Sequence, residues 1–212
     1  MLSGSNVSNN TATIYGIDYA CFPREIRELD EAVYQYYAEE EGSLSRVPDE
    51  FESADSITNL IFNGVMSGGS IPTTYLALVD EYGQIVTSDD SSLIEFTIEE
   101  APAGSQFTSE VYGQTKFYAL NGVYNISGLF LIADPNSSQS LNLNAYGIDV
   151  SIPVVDEFLD NLFGSYTQSQ YVLPMQVGVR ECLEGEGLRE NGACYECPKG
   201  TYLLEIPTTP TE

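Results

Sequence analysis

The sequence predicts an all-β fold: an antiparallel β-sandwich with a short acidic helix on its N-terminal side and a disulfide-rich extension on its C-terminal side. Three observations carry the sandwich. Between Ile57 and Ile148, short apolar runs are broken by turn residues every 8 to 12 positions or so, the rhythm of a sandwich rather than of βαβ units. Leu93–Glu99 alternates Ile94, Phe96 and Ile98 with Glu95, Thr97 and Glu99, giving one core face and one wet face. Ile71–Ser92 sets two strands on either side of Asp80-Glu81-Tyr82-Gly83, where Gly83 can supply the positive φ of a tight turn.

Composition narrows the function. A chain of 212 residues holds one sandwich of about 100 residues with additions at both ends. Seven Lys and Arg against 32 Asp and Glu give a net charge of -25, which repels phosphate backbones and anionic headgroups and so disfavours nucleic acid and acidic membranes. Such a charge either calls for a medium rich in salt or calcium or serves solubility alone. Fifteen Tyr, with no Trp and no His, suit extracellular strands better than a cytosolic enzyme. No apolar run reaches the roughly 18 residues of a membrane span, so no membrane insertion is expected. The first residues carry neither a basic region nor an apolar one, so the chain reads as a segment of a longer polypeptide or as one whose leader has been removed.

In chain order, residues 1–23 read as the terminal strand of a preceding repeat, because Asn10–Asp18 alternates Ala12 and Ile14 with Thr11 and Thr13. Leu141–Asp149 repeats both the alternation and the closing Tyr-Gly-Ile-Asp, with a proline following each copy. This makes Tyr15–Asp18 and Tyr146–Asp149 equivalent positions in successive modules, so residues 1–18 complete a neighbouring sandwich. Residues 24–56 read as an acidic helix and linker: Ile26, Leu29, Val33 and Tyr36 or Tyr37 fall at helical spacing up to Gly42, and Ser43–Ser56 is polar and broken by Pro48. Residues 57–150 form the sandwich. Its strands are Ile57–Phe62, Ile71–Val79, Gln84–Ser88, Leu93–Glu99, Phe107–Tyr112, Thr115–Leu120, Val123–Ser127, Leu129–Ala133 and Leu141–Asp149, with Asn63-Gly64, Asn121-Gly122 and Asp134-Pro135-Asn136 among the turns. Ile94, Phe96, Ile98, Leu141 and Leu143 are expected to point inward. Residues 151–179 read as a connector and 180–212 as the start of a cysteine-rich module.

The runs Leu78–Ser92, Gly122–Leu131 and Asp134–Asp149 together resemble the immunoglobulin-like repeats, of invasin or filamin type, found in large protist surface proteins, ciliates especially. Such repeats typically set a Pro-Gly-Ser turn before their last alternating strand, and here that turn reads Pro135-Asn136-Ser137. The resemblance covers about Ile57–Asp149 and implies an immunoglobulin-like sandwich with a non-catalytic structural or adhesive role. A second resemblance covers about the last thirty residues. Arg180-Glu181-Cys182 followed by Asn191–Tyr202, with its Cys-x-x-Cys-Pro-x-Gly-Thr-Tyr, is similar to the start of ephrin-receptor-like, TNF-receptor-like or EGF-like cysteine modules. That resemblance implies a Cys182–Cys194 disulfide in an oxidising compartment. Cys197 is then free, paired with Cys21, or bonded to a cysteine outside this sequence.

Rival chemistries are weaker. Zinc wants four Cys or His ligands, and there is no His while Cys21 is far away in sequence. Pro198-Lys199-Gly200 prevents the helix start of a thioredoxin-type motif. Without His there is no Ser-His-Asp or Cys-His arrangement, so no catalytic residue and no enzyme activity is expected. No cofactor is expected either, although Asp80-Glu81, Asp89-Asp90 and Asp49-Glu50 offer calcium the hard oxygens it takes, or else simply solvate the surface. Asn6, Asn9, Asn125 and Asn136 are N-glycosylation sequons if the chain is secreted. The expected function is a structural or adhesive segment of a large extracellular or cell-surface protein, with neighbouring repeats or subunits as partners. The competing class is a carbohydrate-binding or carboxylate-based glycan-processing module, which exposed tyrosines aligned on one sheet face beside an acidic pair would favour.

Overall fold

The structure, a computed structural model, describes residues 23–39, 57–80, 83–99, 104–149, 170–201 and 209–210. The strand expected at Asn10–Asp18, the linker 43–56, Cys21, Asn6, Asn9, Asp49, Glu50 and Glu81 lie outside them. The elements are β1 (Glu25–Leu29), α1 (Glu31–Glu39), β2 (Leu60–Met66), β3 (Thr74–Val79), β4 (Leu93–Ile98), β5 (Glu110–Gly113), β6 (Lys116–Tyr118), β7 (Val123–Ile126), β8 (Leu129–Ile132), β9 (Ser137–Asp149), β10 (Gln170–Arg180), β11 (Glu186–Leu188) and β12 (Cys194–Glu196). They make an all-β sandwich. One sheet runs β1-β3-β7 and the other β2-β10-β9-β4-β6, with the pairs β5–β8 and β11–β12 beside them.

Alternation builds the core. On the five-stranded sheet, Leu173, Leu143 and Phe96 lie in one cross-strand row, and Met175, Leu141 and Ile98 in the next. Ile26, Leu76, Leu78, Tyr124 and Ile126 meet them from the three-stranded sheet, and Leu129 and Leu131 from β8, in a single buried cluster. The inward side chains expected from sequence therefore point inward: Ile94, Phe96, Leu141 and Leu143 are buried and Ile98 is partly so. Asn121 and Gly122, at φ of 50° and 72°, form the two-residue turn between Leu120 and Val123 that Asn-Gly favours. Here the chain passes from one sheet to the other.

Four expectations are corrected. First, the Arg24–Gly42 stretch is not one helix. Ile26 and Leu29 are three apart, so in β1 they point to opposite faces, Ile26 into the main core and Leu29 outward. Leu29 joins Val33 and Tyr37 of α1, which cover Ala77, Val79 and Val123 on the outer side of the three-stranded sheet. Both faces of that sheet are buried here, which hides the period-2 signal. Second, β10 falls in the expected connector 151–179 for all but its last residue, Arg180, yet is a central strand, antiparallel to β9 and parallel to β2, so the sheet is mixed rather than purely antiparallel. Third, Asn63-Gly64 is not a turn but a β-bulge within β2. Two residues there oppose the single Gly178 between the Phe62–Val177 and Val65–Val179 pairs, and Gly64 takes φ 74°. Fourth, the expected strand Gln84–Ser88 reduces to one bridge, Ile85 to Val79.

Candidate functional site

Two features stand out beyond the core: the open face of the five-stranded sheet and the cysteine loop fastened to one end of the sandwich. The open face is set by register. Leu93 pairs with Tyr118, and the Ile94–Ala145 pair brings Tyr146 to the other side of Leu93. Tyr118 and Tyr146 thus share one cross-strand row, 66% and 55% exposed. The next row is Lys116, Glu95, Asn144 and Val172, and the one after it Thr97, Asn142 and Pro174. These side chains hold one another. Lys116 Nζ lies 3.1 Å from Glu95 Oε1, the Tyr146 hydroxyl donates to Glu95 Oε2 at 3.0 Å, and Asn144 Nδ2 donates to Thr97 Oγ1 at 2.9 Å. The Lys116 ammonium, followed by the Tyr146 hydroxyl, holds the Glu95 carboxyl below its usual range, and Glu95 raises Lys116. The three rows carry one acid and one base, and these two are paired.

At the end of the sandwich, Cys182 and Cys194 form a disulfide with an S–S distance of 2.04 Å and Cα atoms 5.6 Å apart. Both are buried with Leu188 against Met66 and Phe107. The β2–β3 turn receives this loop. Cys194 N donates to Ser67 O at 2.9 Å, while the Ser67 hydroxyl donates to Ala133 O at 2.7 Å and Gly68 N donates to Leu131 O at 2.7 Å. Asp134 accepts from Gln106 N and Phe107 N, each at 2.7 Å, which fixes the backbone behind the Phe107 ring beside Gly192. Arg180, at the end of β10, donates from both terminal nitrogens to the two Glu186 oxygens at 2.8 and 2.7 Å. The loop is therefore joined to the sandwich by a backbone bond, a ring contact and a two-pronged ion pair.

Cys182, Glu186 and Cys194 are close enough together to resemble a metal set. Their chemistry is otherwise occupied: the sulfurs are bonded to each other, and Glu186 accepts from Arg180 and from Leu183 N. Cys197 is half-buried and has no sulfur partner among the described residues. Of the acids considered for calcium, the described ones, Asp80, Asp89 and Asp90, act as turn acceptors. Asp80 Oδ1 accepts from Gln84 N at 2.9 Å, Asp89 Oδ1 from Ser91 N and Ser92 N at 2.9 and 2.8 Å, and Asp90 Oδ1 from Asn121 N at 2.7 Å. Both described sequons are exposed: Asn125 lies on β7 opposite Tyr75, and Asn136 stands at φ 60° in the turn before β9.

Two predictions arise at this joint. A Cβ on Gly192 would lie 2.6 Å from Phe107 Cγ, and its φ is +88°, so Gly192→Ala is expected to destabilise the loop by about 2 kcal/mol. Faster amide exchange over Cys182–Glu196, with the core strands unchanged, checks it. Hydrogen bonding to Arg180 lowers the Glu186 pKa in the fold, more than burial raises it. A depressed carboxyl contributes stability that is present above the unfolded pKa and lost as pH falls through the folded one. The loop should therefore loosen as pH falls below the ordinary glutamate range toward the depressed value of Glu186. In Glu186→Gln that component of the pH dependence should be absent when exchange is followed against pH.

No family model matches the chain, and no curated protein matches it. Among solved structures, the chain is similar to WR4, a C. elegans MSP family member, at a TM-score of 0.27 and 11% identity, over 56% of this chain and 91% of that one.

Proposed function

We propose that this chain is a non-catalytic structural or adhesive segment of a large extracellular or cell-surface protein, in which an invasin/filamin-type immunoglobulin-like sandwich runs into a cysteine-rich module. The observation that carries the reading is the joint itself. A disulfide loop fixed by Cys194 N to Ser67 O, by Phe107 beside Gly192 and by Arg180 to Glu186 gives consecutive modules a set orientation, as an extended surface protein requires. Disulfides of this kind persist in oxidising compartments. A strongly acidic surface suits such a medium and keeps neighbouring chains apart. Neighbouring repeats are the partners this reading assigns, and Asn125 and Asn136 are its glycan acceptors.

An antibody raised against the chain tests the proposal on the cells that make it. Staining of intact, unpermeabilised cells, together with a non-reducing peptide map containing the Cys182–Cys194 link, is the expected result. Staining that appears only after permeabilisation, with both cysteines alkylated as free thiols, overturns it.

A further inference from the structure

We propose that the open face of the five-stranded sheet binds a neutral polysaccharide, with Tyr118 and Tyr146 as stacking platforms and Glu95, Thr97, Asn142 and Asn144 as hydrogen-bonding partners for sugar hydroxyls. This rests on the adhesive reading above and names the ligand of that adhesion. The two tyrosines are among the most exposed large apolar side chains of the described residues, and they fall in one row on β6 and β9 with β4 between. Two inter-strand spacings separate their backbones by about 10 Å, roughly the span of two linked pyranose rings. A flat phenol ring presents apolar area to the C–H face of a sugar and keeps a polar tip for water. Beside the rings, the next two rows offer amide, hydroxyl and carboxylate groups already fixed by Asn144 to Thr97 and by Lys116 and Tyr146 to Glu95. A ligand therefore meets oriented donors and acceptors, which limits the ordering that binding requires.

Charge selects among occupants. The acid and base on these three rows neutralise each other, and exposed Glu99 adds one negative charge a row further along the same face, so the face does not attract anions, while the chain as a whole carries -25. Anionic polymers are repelled by that field, and so is a second copy of the same chain laid face to face. A neutral glycan pays neither penalty. Glycoside cleavage by a pair of carboxylates is not part of the proposal, because Glu95 is the one carboxylate on these rows and is tied to Lys116.

Native electrophoresis of the full chain in gels containing barley β-glucan, hydroxyethyl cellulose, galactomannan or amylopectin tests the inference, with polygalacturonate and heparin as anionic counter-probes. Retardation by at least one neutral polymer and by neither anionic one is expected. The Tyr118→Ala, Tyr146→Ala double variant should bind about tenfold more weakly or not at all, while Tyr118→Phe keeps binding because the stacking ring remains. Unchanged melting of the variants confirms that they are folded. No retardation in any neutral gel, retardation indifferent to the double substitution, or a dimer in sedimentation that the double substitution dissolves each overturns the proposal. Binding of the full chain to intact cells separates it from the adhesive reading. Cell binding that neutral polysaccharides do not compete away and the double variant retains sinks the glycan inference alone; absence of both cell binding and retardation removes adhesion as well.

Discussion

Leu143→Ala is expected to cost the sandwich about 3–4 kcal/mol, seen as a fall in the urea midpoint without a change of slope. Leu143 is 0% exposed and sits in β9 between Leu173 of β10 and Phe96 of β4. Phe96 in turn meets Phe117 edge-on, with ring centroids 5.8 Å apart. A ladder on each side of β9 prevents its neighbours from closing over the missing methyls, so the lost transfer energy is joined by a persistent cavity. Ile61→Ala, on the open face at 59% exposure, is the matched control and should change stability by less than about 0.5 kcal/mol. Equal costs at the two positions would mean that the alternation does not divide core from surface.

The same alternation explains what could be read from the sequence. Where one face was wet, as in Leu93–Ile98, the strand and its inward residues were legible, and the Asn121-Gly122 turn was legible because few other pairs accept φ > 0 twice. β10 shows the opposite case. Tyr171, Leu173, Met175, Val177 and Val179 alternate cleanly, yet Pro174 and Gly178 stand between them and argue against a central strand. Pro174 is tolerated where β10 pairs with β9 before its pairing to β2 begins at Met175, and Gly178 sits opposite the Asn63-Gly64 bulge. A Cβ on Gly178 would lie 2.8 Å from Asn63 Oδ1, so the glycine belongs to the bulge rather than to a loop. β1 failed for another reason: an apolar spacing of three fits a helix face as well as a strand buried on both sides.

The open face was legible only in parts. Tyr118 falls two residues after Lys116, and Tyr146 shares the polar phase of Asn142 and Asn144, so both could be assigned outward. That they form one row depends on the registers β4–β6 and β4–β9, and cross-strand register between distant segments leaves no local trace. The cysteine loop divides the same way. The resemblance to cysteine modules implied the Cys182–Cys194 pairing, whereas the seat on Ser67, Gly68 and Phe107 is built by segments far away in sequence.

That seat makes the disulfide a separable element, and its removal is the sharpest test of a modular chain. In Cys182→Ser, Cys194→Ser, the unfolded chain regains the freedom of a loop spanning 12 residues, worth about 3 kcal/mol in the chain-entropy model. Two hydroxyls would also replace sulfurs that are 0% and 5% exposed, and buried hydroxyls lacking partners cost about 1–3 kcal/mol each. The Arg180–Glu186 pair, with side chains 25% and 12% exposed, is worth about 1 kcal/mol at such exposure and cannot compensate. The loss should nevertheless stay local, because the buried cluster of Cys182, Leu188 and Cys194 shares no residue with the main core. Limited proteolysis should cut within Glu181–Lys199 many times faster than in the unmodified chain, and reduction of the unmodified chain should reproduce that pattern. The stability of the sandwich strands should change by less than about 1 kcal/mol. A single transition in which sandwich and loop are lost together, at a midpoint lowered by the full amount, would make the loop an integral part of the core and remove the jointed-module reading.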